Sequence, residues 1–149
     1  IVIAAPDVGG AKRANSYSKK LNCGLALCHK HRKKPNEIAE MTVIGDVAGK
    51  DVLIIDDMCD TAGTLTKAAD LLMDKGALSV RAFCTHAVLS GPAYDRINAS
   101  QLTELIVTDT IPLNGESEKI RVITVADLFS DVIKKLISNE SISSHFVIS

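Results

Sequence analysis

Short apolar runs alternate with helical patterns along the chain, and turn-forming residues separate them. Several of these runs are apolar at every position, which is typical of parallel strands covered on both faces of a sheet. Each predicted strand is one such run. The predicted strands are Ile1–Ala5, Leu25–Cys28, Met41–Ile44, Asp51–Ile55, Val80–Cys84, Glu104–Val107 and Arg121–Thr124.

Helical patterns fill the intervals between the strands. The clearest is Thr64–Lys75, in which Leu65 and Leu72 fall on one apolar face and Gly76 is placed to end the helix. The other predicted helices are Gly10–Lys20, Pro92–Asn98 and Val125–Ser138. The alternation predicts an α/β fold with a mostly parallel sheet between two layers of helices. Its crossovers should be right-handed, and ligands should bind at the carboxyl ends of the strands.

The length of 149 residues and the hydrophobic content of 46% fit one domain with one well-filled core. We therefore expect residues 1–149 to form a single domain. The chain begins with Ile1 rather than methionine, and Ile1–Ala5 already has the pattern of a buried strand. We expect that an N-terminal portion precedes it in the parent protein.

Cysteine usage and hydropathy predict a cytoplasmic protein. The four cysteines form no CxxC pair, and those on predicted strands have apolar neighbours, as small hydrophobic residues would. No apolar run approaches the roughly 18 residues that a membrane span needs. The net charge of −1 gives no general attraction to nucleic acid or to an anionic membrane.

The segment after the fourth predicted strand joins two acids to a glycine–threonine helix start, Asp56-Asp57-Met58-Cys59-Asp60-Thr61-Ala62-Gly63-Thr64. The backbone N–H groups and hydroxyls of Thr61 to Thr64 suit one anion at the positive end of the following helix. Asp56 and Asp57 would repel that anion, so sugar hydroxyls or magnesium are better partners for them. A phosphorylated sugar satisfies both halves, whereas the plainer alternative is an acidic strand end before an ordinary helix cap.

The loop after the first strand contains Asp7, the pair Gly9 and Gly10, and then Lys12 and Arg13. Two glycines let the backbone approach a ligand, and the cations that follow suit a polyphosphate. An ordinary tight turn explains the glycine pair equally well. We favour the functional interpretation because this loop and the acidic loop both follow strands whose carboxyl ends should share one edge of the sheet.

The run from His29 to Lys34 carries four lysine and arginine residues in six positions. Charge runs are usually solvated loops or nucleic-acid patches. The aromatic content of 3% and the absence of a second basic run argue against nucleic acid. A cationic loop that reaches bound substrate would instead offset charge on transferring phosphate groups.

Together the three loops resemble the ribose-phosphate pyrophosphokinases, also called PRPP synthetases. The run Asp-Asp-Met-x-Asp-Thr-x-Gly-Thr is similar to their PRPP-binding motif, which type I phosphoribosyltransferases share in shorter form. Pro-Asp-x-Gly-Gly resembles their pyrophosphate loop, and the basic run resembles their catalytic loop. The resemblance extends from Ile1 to about Ser143 and implies a type I phosphoribosyltransferase-like fold.

This resemblance also implies roles for the acidic loop and the first loop. Asp56 and Asp57 would hold the ribose hydroxyls, and Asp7 would help to bind Mg²⁺. The pyrophosphate loop would contain Gly9 and Gly10. The residues matching those that grip the 5-phosphate are Asp60, Thr61, Ala62, Gly63 and Thr64.

In the basic loop the resemblance assigns the catalytic pair to Lys30 and Arg32. It implies that the anomeric hydroxyl of ribose 5-phosphate attacks the β-phosphorus of Mg-ATP to give PRPP and AMP. It further implies self-association into hexamers built from dimers, often with ADP inhibition. The adenine pocket and a metal-binding histidine of that family belong to an N-terminal domain, so we expect this chain to represent the C-terminal half of a two-domain parent and to bind ribose 5-phosphate without turnover.

One further departure and two alternatives qualify the assignment. The tail Ser141–Phe146 differs from the family's Ser-Val-Ser-Tyr-Leu-Phe, so an ADP site there is not implied. A type I phosphoribosyltransferase would not readily explain the spacing of Lys30 and Arg32. A non-catalytic PRPP-synthetase-associated subunit would be expected to lose such residues. We interpret His86 as a structural histidine, since no His or Cys lies at zinc-ligand spacing from it.

Overall fold

The computed structural model of the chain describes residues 1–31 and 40–146, and only the backbone of residues 30, 31 and 40. The strands are Val2–Ala5 (β1), Gly24–His31 (β2), Glu40–Ile44 (β3), Asp51–Cys59 (β4), Ser79–Ala87 (β5), Glu104–Thr108 (β6) and Ile120–Ile123 (β7). The helices are Ala11–Leu21 (α1), Gly63–Asp74 (α2), Ala93–Ala99 (α3) and Ala126–Ile137 (α4), followed by a 3₁₀ turn at Ser143–His145.

Each predicted strand and helix is present, and the predicted α/β fold with a mostly parallel sheet is confirmed. Strands β2, β4 and β5 each continue three or more residues beyond the predicted carboxyl end, and two of these extensions contain predicted site residues. Strand β4 continues through Asp56 and Asp57, which the sequence placed in a loop. Strand β2 continues through Lys30 to His31, which the sequence also placed in a loop. Both extensions are paired with a neighbouring strand on one side, β4 with β5 and β2 with β3, and this pairing provides partners for the backbone groups on that side.

Within the described residues the strand order is β3-β2-β1-β4-β5-β6-β7. Strand β3 runs antiparallel to β2, and the other neighbouring strands are parallel. The chain moves from β1 outward to β2 and later returns to the other side of β1 to form β4. This reversal places the carboxyl ends of β1 and β4 side by side, at the kind of switch point where open α/β sheets bind ligands.

Side chains alternate between the two faces of the sheet. On one face Ile54 and Leu105 pack with Leu65 and Leu72 of α2, and α3 adds Ile97 to the same buried cluster. The opposite face carries a smaller cluster that includes Ala14 of α1 and the following strand residues: Ile3, Ala5 and Ile55. Helices on both faces hold the sheet between them, which fixes the ends of β1 and β4 in relation to each other.

None of the helices in the described part of the chain is long and apolar enough to cross a bilayer.

Candidate functional site

The acids of β4 meet the first residues of α1 at the junction between β1 and β4. Arg13 Nη1 lies 2.9 Å from Asp56 Oδ1, and Arg13 Nη2 lies 2.7 Å from Asp57 Oδ2. The Asp56 side chain is 24% exposed and that of Asp57 is 65% exposed. The backbone N–H of Asp57 donates a second hydrogen bond to Asp56 Oδ1 at 2.9 Å. A single guanidinium therefore bridges the two acids that the sequence assigned to a sugar.

The two carboxyl groups differ in their proton affinity. Burial raises the pKa of Asp56, and the nearby charge of Asp57 adds to that rise while Arg13 opposes it. For Asp57, burial also acts upward, but the hydrogen bond with Asp56 and the charge of Arg13 outweigh it and lower the pKa. Asp56 is consequently the member of the pair that takes up a proton first as the pH falls.

The predicted phosphate cradle lies directly beyond these acids, at the start of α2. Ala62 is the N-cap residue of α2 and has a left-handed backbone with φ of 58°. Alanine has no side-chain oxygen, so it cannot cap the first N–H groups of the helix as serine or aspartate would. Those N–H groups point out of the helix end, which is a geometry that suits an anion.

Arg96 of α3 adds a cation beside this cradle. Its Nη1 donates to the carbonyl oxygen of Thr61 at 2.9 Å. A Cβ atom on Gly63 would lie 3.2 Å from the same nitrogen, so glycine gives the guanidinium its room. Asp60 is held from the other side, because the Ser90 hydroxyl donates to its carboxylate.

A cavity of about 240 Å³ joins the two loops. Asp7, Asp56 and the stretch from Met58 to Leu65 line it. Asp7 Oδ1 accepts the N–H of Gly10 at 3.1 Å, and a Cβ atom on Gly9 would lie 3.1 Å from the same oxygen. The structure thus brings Asp7, Asp56 and the Asp60–Thr64 cradle to one place, with Gly9 and Gly10 shaping the loop that carries Asp7.

A second cavity of about 470 Å³ adjoins the first on the α2 side. It shares Asp7, Thr61 and Thr64 with the first and adds Lys67 and Arg96. The sequence pattern contained no signal for Lys67 or Arg96. For Arg13 the pattern suggested a polyphosphate, whereas the side chain contacts the paired acids; the adjacency of β1 and β4 is the signal that accounts for this contact.

Asp7 and Asp56 both line the smaller cavity, and their carboxylate oxygens are the type of ligand that Mg²⁺ prefers. Mg²⁺ typically binds one or two carboxylates and completes its coordination with water and substrate phosphates. Among the described residues no group of three or more His, Cys, Asp and Glu side chains is arranged to hold a metal. The two carboxylates at this cavity are of a type and number that Mg²⁺ could use as protein ligands.

The structure describes only part of the predicted catalytic pair, Lys30 and Arg32. The backbone of Lys30 belongs to β2, where it pairs with Met41, and Arg32 lies outside the described residues. Strand β2 runs beside β1 with Leu27 opposite Ala5, so Lys30 follows at the same edge of the sheet as Asp7. The catalytic roles of Lys30 and Arg32 remain predictions. His86 Nδ1 lies 3.0 Å from Thr110 Oγ1, a contact in keeping with a structural histidine.

Comparison with known proteins shows which family the chain resembles in sequence. A family model described as the phosphoribosyl synthetase-associated domain matches residues 31–147. The chain is 56% identical over 144 residues to a ribose-phosphate pyrophosphokinase of Porphyromonas gingivalis, covering 97% of this chain and 46% of that protein. It is 49% identical over 146 residues to the Campylobacter jejuni protein of the same name, covering 98% and 47%. The chain thus spans about half the length of the curated relatives it matches.

Solved structures support the same relationship. A phosphoribosylpyrophosphate synthetase from Mycobacterium smegmatis superposes with a TM-score of 0.84 at 35% identity, over 93% of this chain and 45% of that one. An orotate phosphoribosyltransferase from Aeropyrum pernix matches with a TM-score of 0.57 at 16% identity, over 89% and 65%. The second likeness concerns the fold, and it confirms the predicted phosphoribosyltransferase-like architecture.

Proposed function

Because the chain belongs to the phosphoribosyl synthetase-associated domain family, we propose that it carries the ribose 5-phosphate site of a ribose-phosphate diphosphokinase. The observation that carries the proposal is the shared cavity. Asp56, a helix start suited to an anion and the first-loop Asp7 all line it, and Arg13 joins Asp57 to Asp56 at its edge. The names of the relatives from Porphyromonas gingivalis and Campylobacter jejuni support the same activity.

In the proposed complex the phosphate of the sugar lies at the start of α2. The first-turn N–H groups and the hydroxyls of Thr61 and Thr64 would donate to its oxygens, and Arg96 would add positive charge nearby. Asp56 and Asp57 would accept hydrogen bonds from the ribose hydroxyls, because ionised carboxylates are strong acceptors. Binding at both ends fixes the direction of the sugar, so its anomeric hydroxyl faces the first loop.

The proposed reaction of the complete enzyme is pyrophosphoryl transfer from ATP. A bond forms between the anomeric oxygen and the β-phosphorus, the bond from that phosphorus to the bridging oxygen of AMP breaks, and the hydroxyl proton is released. Mg²⁺ supplies charge neutralisation on the phosphate oxygens when bound, with Asp7 as its proposed protein ligand. Lys30 and Arg32 are proposed to stabilise the transferring group, and the backbone of Gly9 and Gly10 to approach it.

Self-association in the cytoplasm completes the proposal, with a second copy of the protein as the partner. Helix α4 supports it, because its apolar side chains are about half exposed: Leu128 49%, Phe129 56%, Ile133 54% and Leu136 57%. Interface cores are depleted of charge and rich in such groups. Sedimentation equilibrium tests the proposed self-association, and a monomeric mass at all concentrations would contradict it.

The four free cysteines are consistent with a reducing compartment.

Calorimetric titration of ribose 5-phosphate into the 149-residue chain tests the proposed site. We expect saturable binding without turnover when Mg-ATP is added. The double variant Asp56→Asn/Asp57→Asn should bind about tenfold more weakly or worse, because charge-assisted hydrogen bonds are lost. The control Asp127→Asn/Glu140→Gln removes the same charge at exposed positions far along the chain. Absence of binding by the unchanged chain, or equal affinities of the two double variants, would contradict the proposal.

A further inference from the structure

We infer that Arg13 is a positioning residue for the sugar diol: it holds Asp56 and Asp57 so that one oxygen of each carboxylate faces the two ribose hydroxyls. The inference rests on the proposed function, since it explains how the two acids of that site act as a unit. It gives Arg13 a role different from the polyphosphate contact that its place in the sequence suggested.

The first step is the geometry of the contact between the Arg13 guanidinium and the two acids, which we call the fork. Nη1 and Nη2 of Arg13 reach one oxygen on each acid, at 2.9 Å on Asp56 Oδ1 and 2.7 Å on Asp57 Oδ2. The two terminal nitrogens of a guanidinium are held in one plane at a fixed separation. The separation of the two carboxylates is therefore fixed by a rigid group, although their side chains leave successive positions of a strand and would otherwise diverge.

The second step concerns which oxygens the fork uses. Asp56 Oδ1 receives both Arg13 and the N–H of Asp57, so its lone pairs are occupied. The guanidinium contacts Asp56 Oδ1 and Asp57 Oδ2, so we assign the other two oxygens, Asp56 Oδ2 and Asp57 Oδ1, as acceptors for the two hydroxyls of a vicinal diol. A sugar that lacks the 2-hydroxyl would lose one of these two hydrogen bonds and should bind more weakly.

The third step is the charge of the pair. Two adjacent carboxylates repel each other. The Arg13 guanidinium contacts both acids, at 2.9 Å and 2.7 Å, and so offsets this repulsion. Asp7 and Asp60 in the cavity wall add further negative charge near Asp56. Arg13 therefore supplies positive charge at the point where the described acids concentrate negative charge.

Helix α1 delivers Arg13 to this place. The helix starts at Ala11, directly after the first loop, and its residue Ala14 is buried against β1 and β4 in the second core cluster. Arg13 itself is 27% exposed in its side chain. The packing of Ala14 thus fixes the position of the Arg13 backbone. The contacts with Asp56 and Asp57 then have to order only the end of the Arg13 side chain.

The test compares ribose 5-phosphate with 2-deoxyribose 5-phosphate by calorimetry on the unchanged chain, Arg13→Gln, Arg13→Lys and the control Lys20→Gln. Lys20 lies exposed in the last turn of the same helix and loses the same charge. We expect the unchanged chain and Lys20→Gln to prefer ribose 5-phosphate. Arg13→Gln should lose about tenfold in affinity for ribose 5-phosphate and bind both sugars alike. Arg13→Lys should recover part of the preference, because lysine restores a point charge without the fork.

Thermal denaturation separates positioning from a merely structural role, and it should give all four proteins similar melting temperatures. An Arg13→Gln variant that keeps the full preference for ribose 5-phosphate would overturn the inference and leave the proposed site intact. An equal loss of both sugars together with a lower melting temperature would do the same. Failure of the unchanged chain to bind either sugar would overturn both.

Discussion

Ser90 contacts Asp60 through both its backbone and its side chain. The N–H of Ser90 donates to the carbonyl oxygen of Asp60 at 3.1 Å, and its hydroxyl donates to the Asp60 carboxylate. The preceding residue, Leu89, donates its N–H to the carbonyl oxygen of Cys59 at 3.1 Å. The segment after β5 thus holds Asp60, the first residue of the proposed phosphate cradle, in place before α2 begins.

Replacement of Ser90 by alanine should loosen the cradle. The variant loses one hydrogen bond to a carboxylate, so ribose 5-phosphate should bind about fivefold more weakly, in line with roughly 1 kcal/mol for such a contact. Ser79→Ala is a matched control, because the Ser79 hydroxyl donates to Asp51 at 2.5 Å at the opposite end of the same strands. Calorimetry on both variants checks this prediction, and equal losses of affinity would contradict it.

Gly45 occupies a position that no other residue fits. Its φ is +111°, and a Cβ atom would lie 2.5 Å from the carbonyl oxygen of Leu25 and 3.0 Å from the Cα of Ala26. These are backbone atoms of β2 and cannot turn aside as a side chain would. Gly45→Ala should therefore lower the free energy of unfolding by about 2 kcal/mol or more.

Gly49 provides the comparison for Gly45, since its φ of +67° is also positive but its surroundings are open. Gly49→Ala should cost about 1 kcal/mol, which is the backbone strain without the collision. Urea denaturation of both variants measures the difference. A Gly49→Ala variant as unstable as Gly45→Ala would mean that the contact with Leu25 contributes nothing.

The sequence predicted the elements better than it predicted their ends. Apolar periodicity located β4 but ended it at Ile55, because Asp56 and Asp57 break the apolar run. The strand continues because β5 runs beside it and pairs Asp56 with Cys84 and Met58 with His86. Such pairing depends on a strand that is distant in the sequence, so local pattern cannot reveal it.

The candidate site shows the same division between local and distant information. The cradle from Asp60 to Thr64 is one continuous segment, so its phosphate-binding role could be predicted from the residues in order. The contacts of Arg13 with the acids, and of Arg96 with Thr61, join segments that only the folded sheet brings together. A sequence motif indicates which residues contact a ligand, but it does not indicate which residues from other segments position them.

Three of the cysteines should be protected from alkylation in the folded protein. Burial raises the pKa of the thiols of Cys28 and Cys59 to about 11 and that of Cys84 to about 12. The thiolate is the reactive form, so these residues should react slowly at pH 8, whereas the partly exposed Cys23 should react first. Intact mass after brief iodoacetamide treatment should show one adduct in native buffer and four in urea.

The same shifts predict a loss of stability at alkaline pH. Unfolded thiols ionise near the ordinary value of 9.0, while the folded ones keep their protons to about 11 or 12. The folded state therefore binds more protons above pH 9, and the stability that this provides is present in full below pH 9 and falls as the pH rises toward the folded values. Urea midpoints at pH 8, 9 and 10 should decline; a flat profile would contradict the burial of the thiols.

Lys119 satisfies the carboxyl end of helix α3, which carries Arg96 to the cradle. Its Nζ lies 3.3 Å from the carbonyl oxygen of Ile97, 3.1 Å from that of Asn98 and 2.6 Å from that of Ser100. The last carbonyl groups of a helix have no partners within it, and the negative end of the helix dipole favours a cation. One ammonium group meets both needs here.

Lys119→Met keeps the apolar stem and removes the ammonium. We expect the free energy of unfolding to fall by about 1–2 kcal/mol, since charged hydrogen bonds to partly buried carbonyl groups are lost. The control is Lys75→Met, at an exposed position that follows α2. Because α3 positions Arg96, ribose 5-phosphate should also bind more weakly to Lys119→Met than to Lys75→Met. Similar urea midpoints for the two variants would show that the three carbonyl contacts add nothing to stability.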